Sequence, residues 1–269
     1  MRTTSKTALL ALFVLSLAAC RKDDDETPVD LDYTSASDNA RAEDYFNDML
    51  NVADDAAKGN GLRDATADCD PTVTIDLDAS PHTMLIDFGT VNCTASNGRT
   101  RRGQLLVTFT GGYRDPGTVI TITPQDYYVN DNHVEGMKTV TNMGANDDGH
   151  TYFTIQVDGT VTAGDGSWTA EHHATRVRTW VEGEGTPNVF DDVYAITGSG
   201  NGVNRNGTPY TVNITEALRV AVGCPWITDG NLEIAPLDHA TRYVDFGSGS
   251  CDGTFTVTVN GTTFTITMG

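Results

Sequence analysis

Residues 254–267, Thr-Phe-Thr-Val-Thr-Val-Asn-Gly-Thr-Thr-Phe-Thr-Ile-Thr, alternate apolar and polar side chains on both sides of Asn260-Gly261. A period of two sends successive side chains to opposite faces of a strand. Asn-Gly tolerates the positive φ that a two-residue hairpin turn demands at both central positions. Folding about it sets Val259 opposite Thr262, Val257 opposite Phe264 and Phe255 opposite Ile266. The other face carries Thr254, Thr256, Thr258, Thr263, Thr265 and Thr267. One apolar face and one threonine face describe an antiparallel sheet buried on one side and wet on the other.

The same pattern fills the chain after Cys69, where Thr, Val, Ile and Tyr alternate and Gly, Asn and Asp punctuate. With Asp165-Gly166 as a turn, Ala163 meets Trp168, Val161 meets Ala170 and Val157 meets Ala174. A third hairpin turns at Asn206-Gly207. The runs are longer than the usual five or six residues, which suits a large antiparallel meander, either a sandwich or an open, curled barrel. Before them, Phe46, Met49, Leu50, Ala53 and Ala57 recur at helical spacing. Ser37-Asp38 offers a cap and Gly59 and Gly61 a stop. The pattern predicts one amphipathic helix over 38–58 that lays its stripe on the sheet.

The N-terminus addresses the chain. Arg2 and Lys6 precede the apolar run Ala8 to Ala19, which is too short for a bilayer span of roughly 20 residues and fits an export signal. Leu17-Ala18-Ala19-Cys20 resembles a bacterial lipobox, and Lys22-Asp23-Asp24-Asp25-Glu26 resembles the acidic export signal of Bacteroidota surface lipoproteins. That resemblance implies a signal peptide over 1–19, acylation of Cys20, a membrane partner through it, and display on the outer-membrane surface. More than one acyl chain holds such an anchor firmly. Residues 20–36 read as an acidic tether, and 37–269 as a β-rich domain. Loss of Arg2 and Lys6 moves the formal net charge from −20 to −22, which repels nucleic acid phosphates and excludes a nucleic-acid role. The remaining length can bury a real core, as one large β domain or two small ones.

Four further cysteines, Cys69, Cys93, Cys224 and Cys251, suggest disulfides in an exported chain. No C-x-x-C spacing argues for zinc. Four cysteines allow three pairings. An internal repeat discriminates: Ile86-Asp87-Phe88-Gly89 before Cys93 matches Val244-Asp245-Phe246-Gly247 before Cys251, with Asp six positions ahead of the cysteine each time. Two related units, about 69–110 and 224–269, each closed by its own bridge, are therefore expected: Cys69–Cys93 and Cys224–Cys251. The competing arrangement clamps the units together through Cys69–Cys251 and Cys93–Cys224.

Catalytic signals are thin. The two Asp-Phe-Gly runs lack the companion motifs of a kinase and read as strand ends with Phe in the core. His172 and His173 are adjacent on a strand, so they point to opposite faces; His173 falls opposite Asp158. Neither H-E-x-x-H nor G-x-S-x-G occurs. Asn130, Asp131, Asn132 and Glu135 are a weak calcium candidate, joined by Asn146-Asp147-Asp148-Gly149 and Asp191-Asp192, because calcium wants six to eight oxygens. The same residues are ordinary turn formers. Thirty-seven acids make chance carboxylate pairs common, and Trp168, Trp180 and Trp226 sit in strand patterns where core packing is the default. No cofactor is indicated. With no motif placing a nucleophile, a base or a metal, the sequence favours a non-catalytic surface module for a glycan or protein. A hydrolase and a structural envelope protein are the alternatives.

Overall fold

The computed structural model describes residues 29–57, 69–95 and 98–267. The export segment, Cys20, the acidic run after it, and Gly59 and Gly61 lie outside the described residues. One helix, α1 (Thr34–Ala57), precedes fourteen strands: β1 (Thr72–Asp76), β2 (His82–Asp87), β3 (Cys93–Thr94), β4 (Thr100–Phe109), β5 (Val119–Val129), β6 (Asn132–Ala145), β7 (Thr151–Thr162), β8 (Thr169–Glu182), β9 (Val193–Val203), β10 (Pro209–Ala221), β11 (Ile227–Pro236), β12 (Arg242–Ser248), β13 (Thr254–Val259) and β14 (Thr262–Thr267). They form one antiparallel sheet in chain order, with the short β3 hung beside β4. β1 and β14 are its two edges, so the sheet is curled but not closed into a barrel.

The expected hairpin registers are all present. Val257 pairs with Phe264 and Phe255 with Ile266; Val157 pairs with Ala174 and Val161 with Ala170; β9 and β10 pair around the Asn206-Gly207 turn. Along β13 and β7 burial alternates with the sequence. Every second residue enters the core, as a sheet wet on one face requires.

The core lies between this sheet and α1, which touches β4 and β5 at one end of the strand order and β11 near the other. A sheet must curl to bring such distant strands to one helix. The helix is accordingly buried on more than the expected stripe: Ala42, Tyr45, Val52 and Ala56 join Phe46, Met49, Leu50 and Ala53 in the core, while Ala57 is exposed. Gly159 on β7 makes the closest approach possible, since a Cβ there would collide with the Phe46 ring.

The helix begins at Thr34, four residues ahead of the expected start, so residues 34–36, read as tether, form its first turn. Asp32 rather than Asp38 caps it, accepting from the Thr34 backbone N–H at 2.8 Å. Asp38 is taken up elsewhere: its carboxylate receives the Arg205 Nε at 2.8 Å and the Arg205 backbone N–H at 2.9 Å. The residues before it are docked as well, with Asp30 paired to Arg242 at 3.0 Å.

Cys69 is bonded to Cys93 and Cys224 to Cys251. Each bridge stands at one end of the sheet, beside an Asp-Phe-Gly run. The two runs share a local structure. Asp87 accepts from the Gly89 N–H at 2.7 Å and Asp245 from the Gly247 N–H at 2.8 Å. Both glycines have positive φ, and Phe88 and Phe246 are buried against Tyr127 and Phe255.

Candidate functional site

Inward parity on the strands places basic residues as well as apolar ones against α1. On β8 the inward series is Ala170, His172, Ala174, Arg176, Arg178, Trp180. Lys138 on β6 and Arg101 on β4 also point in. The helix answers with acids. Asp48 receives Arg101 through Nε at 2.9 Å and NH2 at 2.5 Å, and Arg99 at 2.9 Å. Asp44 pairs with Arg99 at 2.6 Å, and Glu43 with Arg176. Lys138 donates through Nζ to the Phe46 carbonyl at 3.1 Å and to Asn47 Oδ1 at 2.8 Å.

Burial sets the protonation of this layer. It pushes Lys138 down from 10.5 to about 7, against the attraction of Glu43. It pushes His172 down to about 4, again against Glu43, whose Oε1 lies 3.7 Å from Nε2. His172 is therefore a neutral, buried ring stacked on Phe46. For Glu43, burial favours the neutral acid, but Arg176, His172 and Lys138 together outweigh it and hold the pKa below the usual range. For Asp44, burial wins over Arg99 and raises the pKa.

Where two apolar clusters part, a cleft of about 80 Å³ opens between α1 and the sheet. One cluster contributes Leu50 and Ile155, the other Leu218, Leu232 and Phe246, with Trp226 beside them. The helix side is polar and carries Asn39, Glu43, Asp44 and Asn47. Arg178 completes the lining. Its guanidinium lies 3.5 Å over the Tyr194 ring, and its Nε is buried without an acceptor. Asn39, 2 % exposed, leaves its Oδ1 without a donor.

Most residues singled out from sequence go elsewhere, Cys224 and Trp226 excepted. Asn130 and Asp131 are the two positive-φ residues of the β5–β6 turn. Asn130 Oδ1 accepts from the Thr100 N–H. Asp131 receives Asn92 and Arg102. Asn132 Nδ2 donates to the Tyr45 hydroxyl, and Glu135 lies 3.5 Å from His133. The calcium candidates thus each have a protein partner; among the described residues no three His, Cys, Asp or Glu converge as a metal site. Asn146 caps its own loop, accepting from the N–H groups of Asp148 and His150. Asp191 accepts from the Thr186 hydroxyl at 2.9 Å. His173 meets Asp158 on the outer face at 3.1 Å. Trp168 lies between Arg41 and Arg205, and Trp180 is buried under Arg114. Trp226 alone of the three tryptophans lines the cleft.

Sequence reasoning missed Asn39 and Arg178. The signal for Arg178 was present, since it shares parity with Ala170 and Ala174, which the expected β7–β8 hairpin sets opposite the apolar Val161 and Val157. The architecture defines a class, a long antiparallel sheet wrapped on one helix with a polar–apolar cleft at the seam. No protein-family model, curated protein or solved structure matches the chain.

Proposed function

We propose that this chain is a lipid-anchored binding module displayed on the outer-membrane surface. In this reading Cys20 is acylated, the acidic run after it directs surface display, and the β body holds part of a glycan or protein-derived ligand in the helix–sheet cleft without turning it over. The observation that carries the reading is the cleft itself: an apolar wall facing a polar helix, with two unsatisfied polar groups on its lining. Pockets that pair an apolar body with a few convergent polar groups are the usual form of a ligand site.

Hydrolysis is the second reading, because Glu43 and Asp44 both reach the cleft. Each is held in an ion pair, by Arg176 and Arg99 respectively. Two carboxylates so tied are poorly placed to trade a proton and attack a substrate, which favours capture over turnover.

Cells carrying the wild type, Cys20→Ala or Ala40→Trp test the reading with pools of labelled oligosaccharides and peptides. Ala40 is half-buried on the cleft side of α1, so tryptophan there fills the opening. Wild-type cells retain label, Cys20→Ala moves the protein out of the membrane fraction, and Ala40→Trp keeps the protein on the cell but loses the label. Retention unchanged by Ala40→Trp rejects the cleft as the site. Label returned as fragments identifies a hydrolase.

A further inference from the structure

Resting on the cleft as a binding site, we infer that its ligand presents a carboxylate to Arg178 and a hydroxyl to Asn39, with a short apolar body against the Leu218 and Leu232 wall. The fully buried lysine and arginines of the fold all have acceptors among the described residues. Arg176, one inward step back on β8, holds Glu43; Arg101 holds Asp48; Lys138 has two oxygens; Arg242 holds Asp30. Arg178 lies over the Tyr194 ring, and its Nε lacks any acceptor. The residue is half-buried, but its Nε is shut off from solvent, and a shielded donor left unpaired carries a desolvation cost that a ligand acceptor removes. That donor lies on the lining of the cleft.

Asn39 narrows the chemistry. Its Oδ1 is a buried acceptor waiting for a donor, and an acceptor in that state carries the full desolvation penalty. Water supplies a hydrogen to Asn39 but no negative charge to Arg178. A ligand with both a carboxylate and an O–H satisfies both. A dianionic phosphate brings a second charge next to Glu43 and Asp44, which line the same space, so a single negative charge fits better. The volume, about 80 Å³, is roughly half of the ~150 Å³ that encloses benzene in an engineered cavity. It holds a stub of about three or four carbons. That chemistry is shared by a free short hydroxy acid and by the terminal uronate of a glycan.

Calorimetric titration of the mature, detergent-solubilised protein decides the matter, with 2-hydroxybutanoate, its neutral amide, butanoate, glucuronate and a glucuronate-ended oligosaccharide. The carboxylates bind, and the amide binds at least tenfold more weakly. Arg178→Gln lowers carboxylate affinity roughly 10- to 100-fold, as loss of a charged hydrogen bond does, and leaves the amide unchanged. Asn39→Leu weakens the hydroxy acid towards butanoate. Tighter binding of 2-hydroxybutanoate identifies a free acid as the source; tighter binding of the oligosaccharide identifies a glycan end. Equal affinity for acid and amide on the wild type overturns the inference, even if Arg178→Gln does not fold. So does a folded Arg178→Gln with unchanged carboxylate affinity. If no carboxylate binds while label retention still depends on Ala40, the anion inference falls and the cleft reading stands; if both fail, both fall.

Discussion

Replacing Lys138 by methionine tests the charged layer between α1 and the sheet. Lys138 is 1 % exposed, and burial lowers its pKa from 10.5 to about 7 despite Glu43 nearby. Arg176 and Arg178 add to the lowering. An amine whose pKa is lower in the folded chain binds fewer protons there than in the unfolded chain. Stability is therefore least below pH 7 and rises as pH climbs towards 10.5. At ~1.36 kcal/mol per pKa unit the whole interval corresponds to about 5 kcal/mol, of which about 2 kcal/mol falls between pH 7 and 9. Methionine has similar length and no titration. It removes two hydrogen bonds, but the Phe46 carbonyl keeps its place in the helix and Asn47 is only half-buried. The lost bonds are the same at every pH, so the diagnostic quantity is the change in the difference. The stability of Lys138→Met minus that of the wild type should be larger at pH 7 than at pH 9 by about 2 kcal/mol. Urea unfolding followed by tryptophan fluorescence at pH 7, 8 and 9 measures it. Higher pH is avoided because burial keeps Tyr127, Tyr194 and Tyr210 protonated in the fold, and their release in the unfolded chain lowers stability there. Parallel pH profiles for the two proteins refute the reasoning.

Further outcomes follow from single contacts. Asp48→Asn leaves the buried Arg101 guanidinium without its charge partner and should cost about 3–5 kcal/mol, read as a lower urea midpoint with the circular dichroism spectrum still β-rich. Gly159→Ala drives a methyl into Phe46 and should cost about 1–3 kcal/mol; a Phe46→Leu background should relieve part of that loss. Cys224→Ser with Cys251→Ser opens a loop of sequence separation 27 and should cost about 3–4 kcal/mol on the chain-entropy model. Lowering the pH from 6.5 through 4 should destabilise the wild type through His172, whose folded pKa burial depresses to about 4, and His172→Phe should flatten that part of the profile.

The sheet was legible because each hairpin carries its register twice, once in the turn and once in the alternation. Asn260-Gly261 fixes which residues face each other, and a slip by one would turn Val257 and Phe255 out to water. The same redundancy fixed Val157 against Ala174. The closure of the sheet carried no such signal. Nothing in a strand's alternation states how far the whole meander curls, so sandwich and open barrel stayed equivalent until the helix was placed against both β4 and β11. The helix start was misread for a local reason. Asp38 has the side chain of a cap, yet Arg205, 167 residues later, claims its carboxylate, and Asp32 caps instead.

The site was harder because inward-facing charge looks like an error in an alternating pattern. Thr175-Arg176-Val177-Arg178 on β8 reads in sequence as an ordinary mixed strand, and an arginine is normally assigned to the wet face. Parity says otherwise: if Ala170 and Ala174 point in, Arg176 and Arg178 do too. The acids of α1 then cease to be a chance surplus. Asp44 and Asp48, four apart on one helix face, meet the arginines at the start of β4, while Glu43 meets β8. This matching gives Arg101 and Arg176 a carboxylate each, leaves Lys138 on neutral oxygens and leaves Arg178 over the Tyr194 ring. The imbalance is a property of the pairing, not of composition, and it appears only once strand parity and helix phase are laid against each other. A site of this kind has no motif, because its residues lie on α1 and β8, far apart in the chain, and its signal is two polar atoms without partners, Asn39 Oδ1 and Arg178 Nε.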